Sequence, residues 1–372
     1  MTHARVEQAI KRVYAVLDIG VHIADPSHPL GAEARRRLPE ITALSREGVE
    51  YALTRVLETS AAAHDVETFV HRAGQASRCH VILSANVCTA PLRAIAFAAA
   101  TAPHVFVKPS RRDPVIAELI VSALHENESF LNADGVLEIV PAISPSAGDE
   151  VHVYASNETI DKVATSLPDG VTFRAHGNGI GIAWIPRGSA DDDAATHLAA
   201  DVAAFDQQGC LSPRIAFFEG DFDAAVTFAR KLANALECVH KAIPLGHLSA
   251  EAQSEVARYA AIAASLGEIF QFTGGAVGVD GAPIRMVVPP PHRIVHVVPV
   301  TAQSVGGLLR SFANVVTTVG VSQAAWIEST VEHFAAALGL DPMRTQQIRW
   351  AQLGSMQTPP FDGPVDLRVL KR

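Results

Sequence analysis

The chain is poor in the features that would assign it to several large classes of protein. Its 372 residues include only four cysteines, Cys79, Cys88, Cys210 and Cys238. Their spacing matches neither a zinc site nor a disulfide framework. The start carries no signal peptide, so these thiols suit a reducing cytoplasm, which is the expected location. Long hydrophobic runs are also missing. The longest, such as Ala94 to Ala102, falls well short of the roughly 20 residues that cross a bilayer, so no membrane span is expected. The net charge of -9 is spread along the chain with no basic block, which argues against nucleic acid as a partner. The histidines, among them His240, His247, His292 and His296, show no metal spacing. The run Asp191-Asp192-Asp193 reads as a helix N-terminus, where carboxylates suit the helix dipole. No metal site is expected. Internal repeats are absent, and the only compositional bias is a general richness in alanine.

What the chain has is apolar residues, 48% of the total, on a length sufficient for two domains. The first 75 residues read as helices. Val49, Leu53, Val56 and Leu57 share one helical face behind a capping Ser45, and Asp25 to Pro29 forms a loop. From His80 the pattern changes to short apolar runs. His80 to Ser84, His104 to Val107, Val136 to Val140, Val151 to Tyr154, Val171 to Phe173 and Ile180 to Trp184 are predicted strands. Between them lie helices from Pro91 to Ala102, after an Asp113 cap with Pro114 at its first position, and from Thr159 to Ala164 behind a capping Asn157. This alternation predicts a parallel, doubly wound sheet, which binds ligands beyond the carboxyl ends of its strands. Asn86, Lys108 and Ser156 all fall just past such ends. A second α/β unit is predicted from the strands Arg214 to Phe218 and Ile294 to Val298 and the helices Phe222 to Leu236 and Glu251 to Leu266. The tail from Gln352 to Asp366 reads as an extended, docked segment.

Between the two sets lies FDQQGCLSPR, residues 205–214. It places Cys210 between a helix, Ala194 to Phe205, and a buried strand. Gly209 permits close backbone approach and Pro213 ends any helix. A thiolate held at such a junction is a strong nucleophile. The alternative is a cysteine packed as a small hydrophobe.

Four stretches in order resemble the aldehyde dehydrogenase superfamily, and in it the LuxC-type fatty acyl-CoA reductases of bacterial bioluminescence and their relatives. They are SANVCTAPLRAIAFAAATAPHVFVKPSRRDP at 84–114, VYASNETI at 153–160, FDQQGCLSPR, and LGSMQTPPFDGPVD at 353–366. The resemblance implies two doubly wound α/β domains with the active site between them. Residues 1–205 would hold N-terminal helices and the nicotinamide-cofactor domain, 206–345 the catalytic domain, and 346–372 a C-terminal segment.

It implies Cys210 as the nucleophile that takes an acyl group as a thioester, with Asn86 as an oxyanion donor. Lys108 and Ser110 of the VKPS run, with Ser156 and Gly177, would contact the cofactor. Ala155 and Ile160 replace the family's flanking glycines. The hydrolytic members' glutamate, in Glu-Leu-Gly-Gly, corresponds to Ala175 of Ala175-His176-Gly177-Asn178. An enzyme without that base exchanges its acyl group with a thiol carrier rather than with water, and His176 is a candidate acid–base near pH 7. NAD-preferring members often place a glutamate three residues after the ribose-binding lysine. Here that position is Arg111, followed by Arg112, so NADPH is the expected cofactor. The expected reaction is NADPH-dependent reduction of an acyl thioester, on CoA or an acyl carrier, to an aldehyde, by a homodimer or higher oligomer. Two alternatives stand: an acyl-phosphate reductase, although no cluster of basic residues suits the phosphate, and a decayed relative acting in binding or assembly.

Overall fold

The computed structural model describes residues 3–189, 192–281, 287–301, 304–310, 312–328, 330–368 and 370–371. The chain divides into two compact units. The first takes residues 1–42, 49–178 and 360–372, and the second takes 43–48 and 179–359.

In the first unit five strands form a parallel sheet: β1 (Arg78–Ile82), β2 (His104–Lys108), β3 (Val136–Ile139), β4 (Glu150–Tyr154) and β5 (Thr172–His176). Their spatial order is β5-β4-β1-β2-β3. The chain runs outward from β1 to β3 and then returns to the other side of β1, so the direction of winding reverses between β1 and β4. In open α/β sheets ligands bind beyond the carboxyl ends of the strands at such a reversal. Helix Ala90–Thr101 is buried along almost its entire length. It packs against the long helix His3–Ala24, whose buried Arg12 donates to the carbonyls of Ala99 (2.7 Å) and Ala133 (2.9 Å). Those bonds satisfy carbonyl groups at the end of the Ala90–Thr101 helix and just past Glu128–Leu131, which would otherwise be costly to bury. Ser45 accepts from the Gly48 N–H at 2.9 Å, as the cap expected from the sequence.

The second unit holds β6 (Ile180–Ile185), β7 (Pro213–Glu219), β8 (Gly267–Phe272), β9 (Gly275–Asp280), β10 (Ile294–Val300), β11 (Val316–Val321) and β12 (Arg349–Gln352). Their order is β12-β11-β6-β7-β10-β9-β8, all parallel except the β8–β9 hairpin. β6, β10 and β11 are buried at every position, as strands covered on both faces must be. A last strand, β13 (Leu370–Lys371), pairs antiparallel with β5 in the first unit.

Three sequence expectations shift. The division falls at residues 178/179 rather than 205/206, because β6 pairs with β7 and β11 and so belongs with the second sheet. The C-terminal segment is split between the units at residues 359/360. Helix Asn157–Ser166 is capped by Ser156, whose hydroxyl accepts from the Thr159 N–H, and not by Asn157. Of the acidic run, Asp192 opens helix Asp192–Ala203 and pairs with Lys231 at 2.9 Å, while Asp191 lies outside the described residues.

The split tail is held by one polar residue in each unit. Fully buried Arg93 donates to the carbonyls of Pro360 (2.8 Å) and Gly363 (3.2 Å), pairs with Glu58 at 2.8 Å and lies over the Phe361 ring. In the second unit buried Asp201 accepts from the N–H groups of Gly354 (2.6 Å) and Met356 (2.9 Å). Burial raises the Asp201 pKa to about 8, against the opposing pull of those two donors. A carboxyl raised in the folded state stabilises most below its unfolded pKa of about 3.9 and loses that contribution as pH rises through about 8. The Asp201→Asn variant cannot ionise. Its melting temperature should therefore gain on that of the wild type as pH is raised from 5 to 9; a gap that stays constant over that range would show that Asp201 titrates normally.

Candidate active site

Helix Asp192–Ala203 ends two residues before the predicted Phe205, and the chain then turns in an unexpected way. Phe205, Asp206 and Gln207 adopt φ of 53°, 50° and 65° in succession. Such left-handed geometry costs a non-glycine residue about 1–2 kcal/mol. Three in a row persist only if the surroundings hold them, and here they do. Asp206 Oδ1 accepts from Arg293 Nη2 (2.7 Å) and Nε (3.1 Å), and its Oδ2 accepts from the Gly246 N–H (3.0 Å). The Asp206 carbonyl accepts from His292 N–H at 3.0 Å. Gln207 donates to the carbonyls of Pro213 (2.8 Å) and Ile294 (2.7 Å) and accepts from the Ile294 N–H (2.8 Å). Arg293 is fully buried and its Nη1 also donates to the Ile243 carbonyl at 2.6 Å. The aspartate and first glutamine of the motif are thus anchors that fix the loop.

The loop delivers Cys210 to the amino end of β7. Ser212 N–H donates to the Gly209 carbonyl at 3.1 Å, closing a tight turn with Cys210 at its second position. Cys210 is partly exposed, Cys79 and Cys88 are buried and Cys238 is exposed. Burial raises the thiol pKa of both Cys79 and Cys88, which keeps them protonated.

The other sequence-derived positions lie in the first unit, at the carboxyl ends of its strands. Asn86 is exposed in the turn after β1, Lys108 ends β2, Ser156 is exposed after β4, and Gly177 follows β5. Asn86 and Ser156 flank the β1–β4 reversal. The Ser110 hydroxyl accepts from the Arg112 N–H at 3.2 Å and shapes the loop after β2. Asp113 closes that loop from a buried position, where burial raises its carboxyl to about 6 although it meets the Val115 N–H. Among the described residues, the side chains of Lys108, Arg111 and Arg112 make no hydrogen bond or ion pair, and both arginines are exposed. Three uncommitted cations at one strand end form a donor set that fits the ribose and phosphate oxygens of a nicotinamide nucleotide. Gly177 is fixed for a local reason, since a Cβ there would lie 2.3 Å from Asn157 Oδ1, which accepts from the Asn178 N–H.

His176, the candidate acid–base, is not open to solvent. It ends β5 in a buried position with its ring stacked on Tyr154, centroids 4.4 Å apart. Burial lowers its pKa to about 4, and the nearby Asp366 carboxylate opposes this only in part. At pH 7 the imidazole is neutral, so no imidazolium acid is present at that position. Ala175 is buried among Ile82, Val153 and Phe173, and that position holds no carboxylate.

The fold is aldehyde dehydrogenase-like, as comparison with solved structures shows. A mutant of proline utilization A from Bradyrhizobium japonicum aligns over 98% of this chain, at 16% identity and a TM-score of 0.65. This chain spans less than half of that protein, 44% of its length. A NAD-dependent benzaldehyde dehydrogenase from Corynebacterium glutamicum aligns over 94% of this chain and 81% of its own, at 15% identity and a TM-score of 0.64. Aldehyde dehydrogenase 21 from Physcomitrella patens, solved with succinate, aligns over 94% and 78%, at 13% identity and a TM-score of 0.65. No curated protein matches the sequence. The sequence profile of the acyl-CoA reductase (LuxC) family matches residues 42–338. The chain belongs to that family of oxidoreductases. Among its described residues no helix is long and apolar enough to cross a membrane, and no group of three or more His, Cys, Asp or Glu could hold a metal.

Sequence reasoning missed Arg293 and the anchoring roles of Asp206 and Gln207. No local pattern marks them, because their partners lie 87 residues apart in the chain. The thiol environments lead to a direct test. Iodoacetamide at mildly alkaline pH should modify Cys210 and Cys238 in the native protein and spare Cys79 and Cys88. Labelling of either buried cysteine as fast as Cys210 would contradict this assignment.

Proposed function

We propose that the protein reduces a fatty acyl thioester to the corresponding aldehyde, with NADPH as reductant and Cys210 as the nucleophile. The observation that carries this reading is the pinned turn that presents the partly exposed Cys210 ahead of β7 in a member of the acyl-CoA reductase family. The Cys210 thiolate attacks the acyl carbonyl, the carrier's C–S bond breaks, and the carrier leaves as its thiol after taking up a proton. Asn86 is the proposed donor to the oxyanion that forms during this exchange; losing such a donor typically costs about 3 kcal/mol of barrier. When bound, the reduced nicotinamide supplies hydride to the acyl carbon. The resulting thiohemiacetal loses its Cys210–carbon bond and yields aldehyde and free thiol. In sum, one acyl thioester, one NADPH and one proton give aldehyde, NADP and carrier thiol. With alanine at position 175 and burial making His176 a weak base, activation of water at these two positions is disfavoured, so the acyl-enzyme should persist until a thiol or reductant arrives.

Mass spectrometry provides the test. Incubation with a long-chain acyl-CoA in the absence of NADPH should give a stable adduct at Cys210. The Cys210→Ala variant should form none and lose turnover while still binding NADPH. Acylation or full turnover of that variant would sink the assignment, and rapid hydrolysis of the wild-type adduct would require another base.

Lys108 is proposed to hold the adenosine ribose, with Ser110, Ser156 and Gly177 lining the cofactor's path. Arg111, exposed and without an ion-pair partner, is the proposed contact for a 2′-phosphate. A guanidinium can pair with phosphate through two parallel, charge-assisted hydrogen bonds. Arg111→Glu should weaken NADPH binding by more than tenfold, about 1.4 kcal/mol, and leave NADH binding almost unchanged. Equal loss for both cofactors would assign Arg111 a structural role, and no loss for either would make it a solvated loop residue.

A further inference from the structure

β6 is flanked by two irregularities at the same level. On one side, Val316 of β11 pairs with Ile180 and Thr318 with Gly181, which leaves Thr317 as an extra residue. On the other, Pro213 of β7 pairs with Gly181 and Ile215 with Ile182, which leaves Arg214 extra. Bulges of this kind re-aim side chains and recur beside active sites. Here the β11 bulge turns the buried Thr317 hydroxyl toward two backbone carbonyls. One belongs to Ile180, at 3.0 Å, and the other to Cys210. A hydroxyl has one proton, so the two carbonyls share it or exchange it. Either way Thr317 ties the Cys210 peptide to the start of β6.

Gly181 completes the clamp. Its N–H donates to the Ser212 carbonyl at 3.0 Å, and a Cβ at this position would lie 2.3 Å from the Leu211 carbonyl oxygen. The turn from Gly209 to Ser212 is thus held at the Cys210 carbonyl by Thr317 and at the Ser212 carbonyl by Gly181. The Asp206–Arg293 pair fixes the approach to the turn, but it acts upstream of Gly209 and leaves the Cys210 peptide plane unconstrained.

We infer that Thr317 is a positioning residue for Cys210, fixing the orientation of its peptide, and through it the thiol, by a hydrogen bond to the Cys210 carbonyl. The inference rests on the reading of Cys210 as nucleophile. Thr317 touches no reacting atom. Its effect comes from geometry, and a displacement of about 1 Å at a reacting group can lower a rate by as much as 100-fold.

The test compares Thr317→Val, which keeps the shape and removes the hydroxyl, with Thr317→Ser, which keeps the hydroxyl. Two readouts are needed. One is the kcat and KM of NADPH-dependent acyl-CoA reduction. The other is the rate of Cys210 alkylation by iodoacetamide, relative to exposed Cys238 in the same sample, across a range of pH. Thr317→Val should lower kcat about tenfold or more, leave KM for acyl-CoA nearly unchanged and alter the Cys210 alkylation profile, while Thr317→Ser should stay near wild type on all three. If Thr317→Val does not fold, Gly181→Ala provides the second approach, because its methyl group displaces the same turn while Thr317 remains. It should produce the same slow-kcat, altered-alkylation signature. A folded Thr317→Val protein with wild-type kcat and alkylation would overturn the inference, as would equal damage from Val and Ser, which would assign the effect to packing. Retained activity in Cys210→Ala would instead remove the proposed function, and the alkylation measurement would still decide whether Thr317 orients the thiol.

Discussion

The buried ion pair between Asp206 and Arg293 is the interaction on which the cysteine loop depends. A left-handed run of phenylalanine, aspartate and glutamine opposes the backbone's own preference and would relax if released. Arg293 prevents this by joining the loop to the residue just ahead of the fully buried β10, and Gln207 adds two bonds to Ile294 across the same gap and one to Pro213. A buried pair of this kind stabilises little in total, because removing both charges from water costs about as much as their attraction returns. What it contributes is specificity. Removing either partner alone strands a charge, at a cost of about 3–5 kcal/mol. Alternative loop conformations that separate the pair are excluded by the same amount.

The first unit solves a different problem with a different device. Its candidate ligand residues need no strained backbone, because the parallel sheet brings the ends of β1, β2, β4 and β5 to one edge. Winding outward to β3 and back to β4 opens a gap at the β1–β4 boundary, and Asn86 and Ser156 fall on either side of it. Committed arginines such as Arg12 and Arg93 lie within the packed interior, where carbonyl groups hold them. Among the described residues, Lys108, Arg111 and Arg112 gather beyond β2 without such partners. The distribution separates cations that hold the fold together from those left available to a ligand.

Much of this was legible in the sequence. Apolar runs gave nearly every strand of the first sheet, with ends displaced by up to three residues, because a buried parallel strand needs little beyond a short β-branched run. Cys210 was legible as a junction residue from the helix before it and the strand after it. The hairpin β8–β9 and the strand β11 were not read, although Thr273-Gly274 marks the turn of that hairpin. The left-handed turn was invisible for a deeper reason. Glycine and asparagine advertise positive φ, whereas Phe205 and Gln207 adopt it only because distant partners require it. His176 illustrates the same limit, since neither its stacking on Tyr154 nor the burial that keeps it neutral at pH 7 is marked in its own run. The unit boundary was misplaced because helix Asp192–Ala203 continues the βα rhythm without a break, and only the pairing of β6 reveals which sheet it serves.

The span between Asp206 and Arg293 also orders events in time. The 87-residue separation of the pair means that two helices and a hairpin must be synthesised before the anchoring arginine exists, and β10, between β7 and β9, follows it in the chain. Contacts of such long sequence separation form late, because loop closure is an entropic cost that must be met first. A growing chain therefore carries Cys210 on an unshaped segment until most of the second sheet is assembled. Maturation of the thiol's surroundings becomes a checkpoint on folding itself, since a chain stalled short of β10 would have the cysteine but not the turn that presents it.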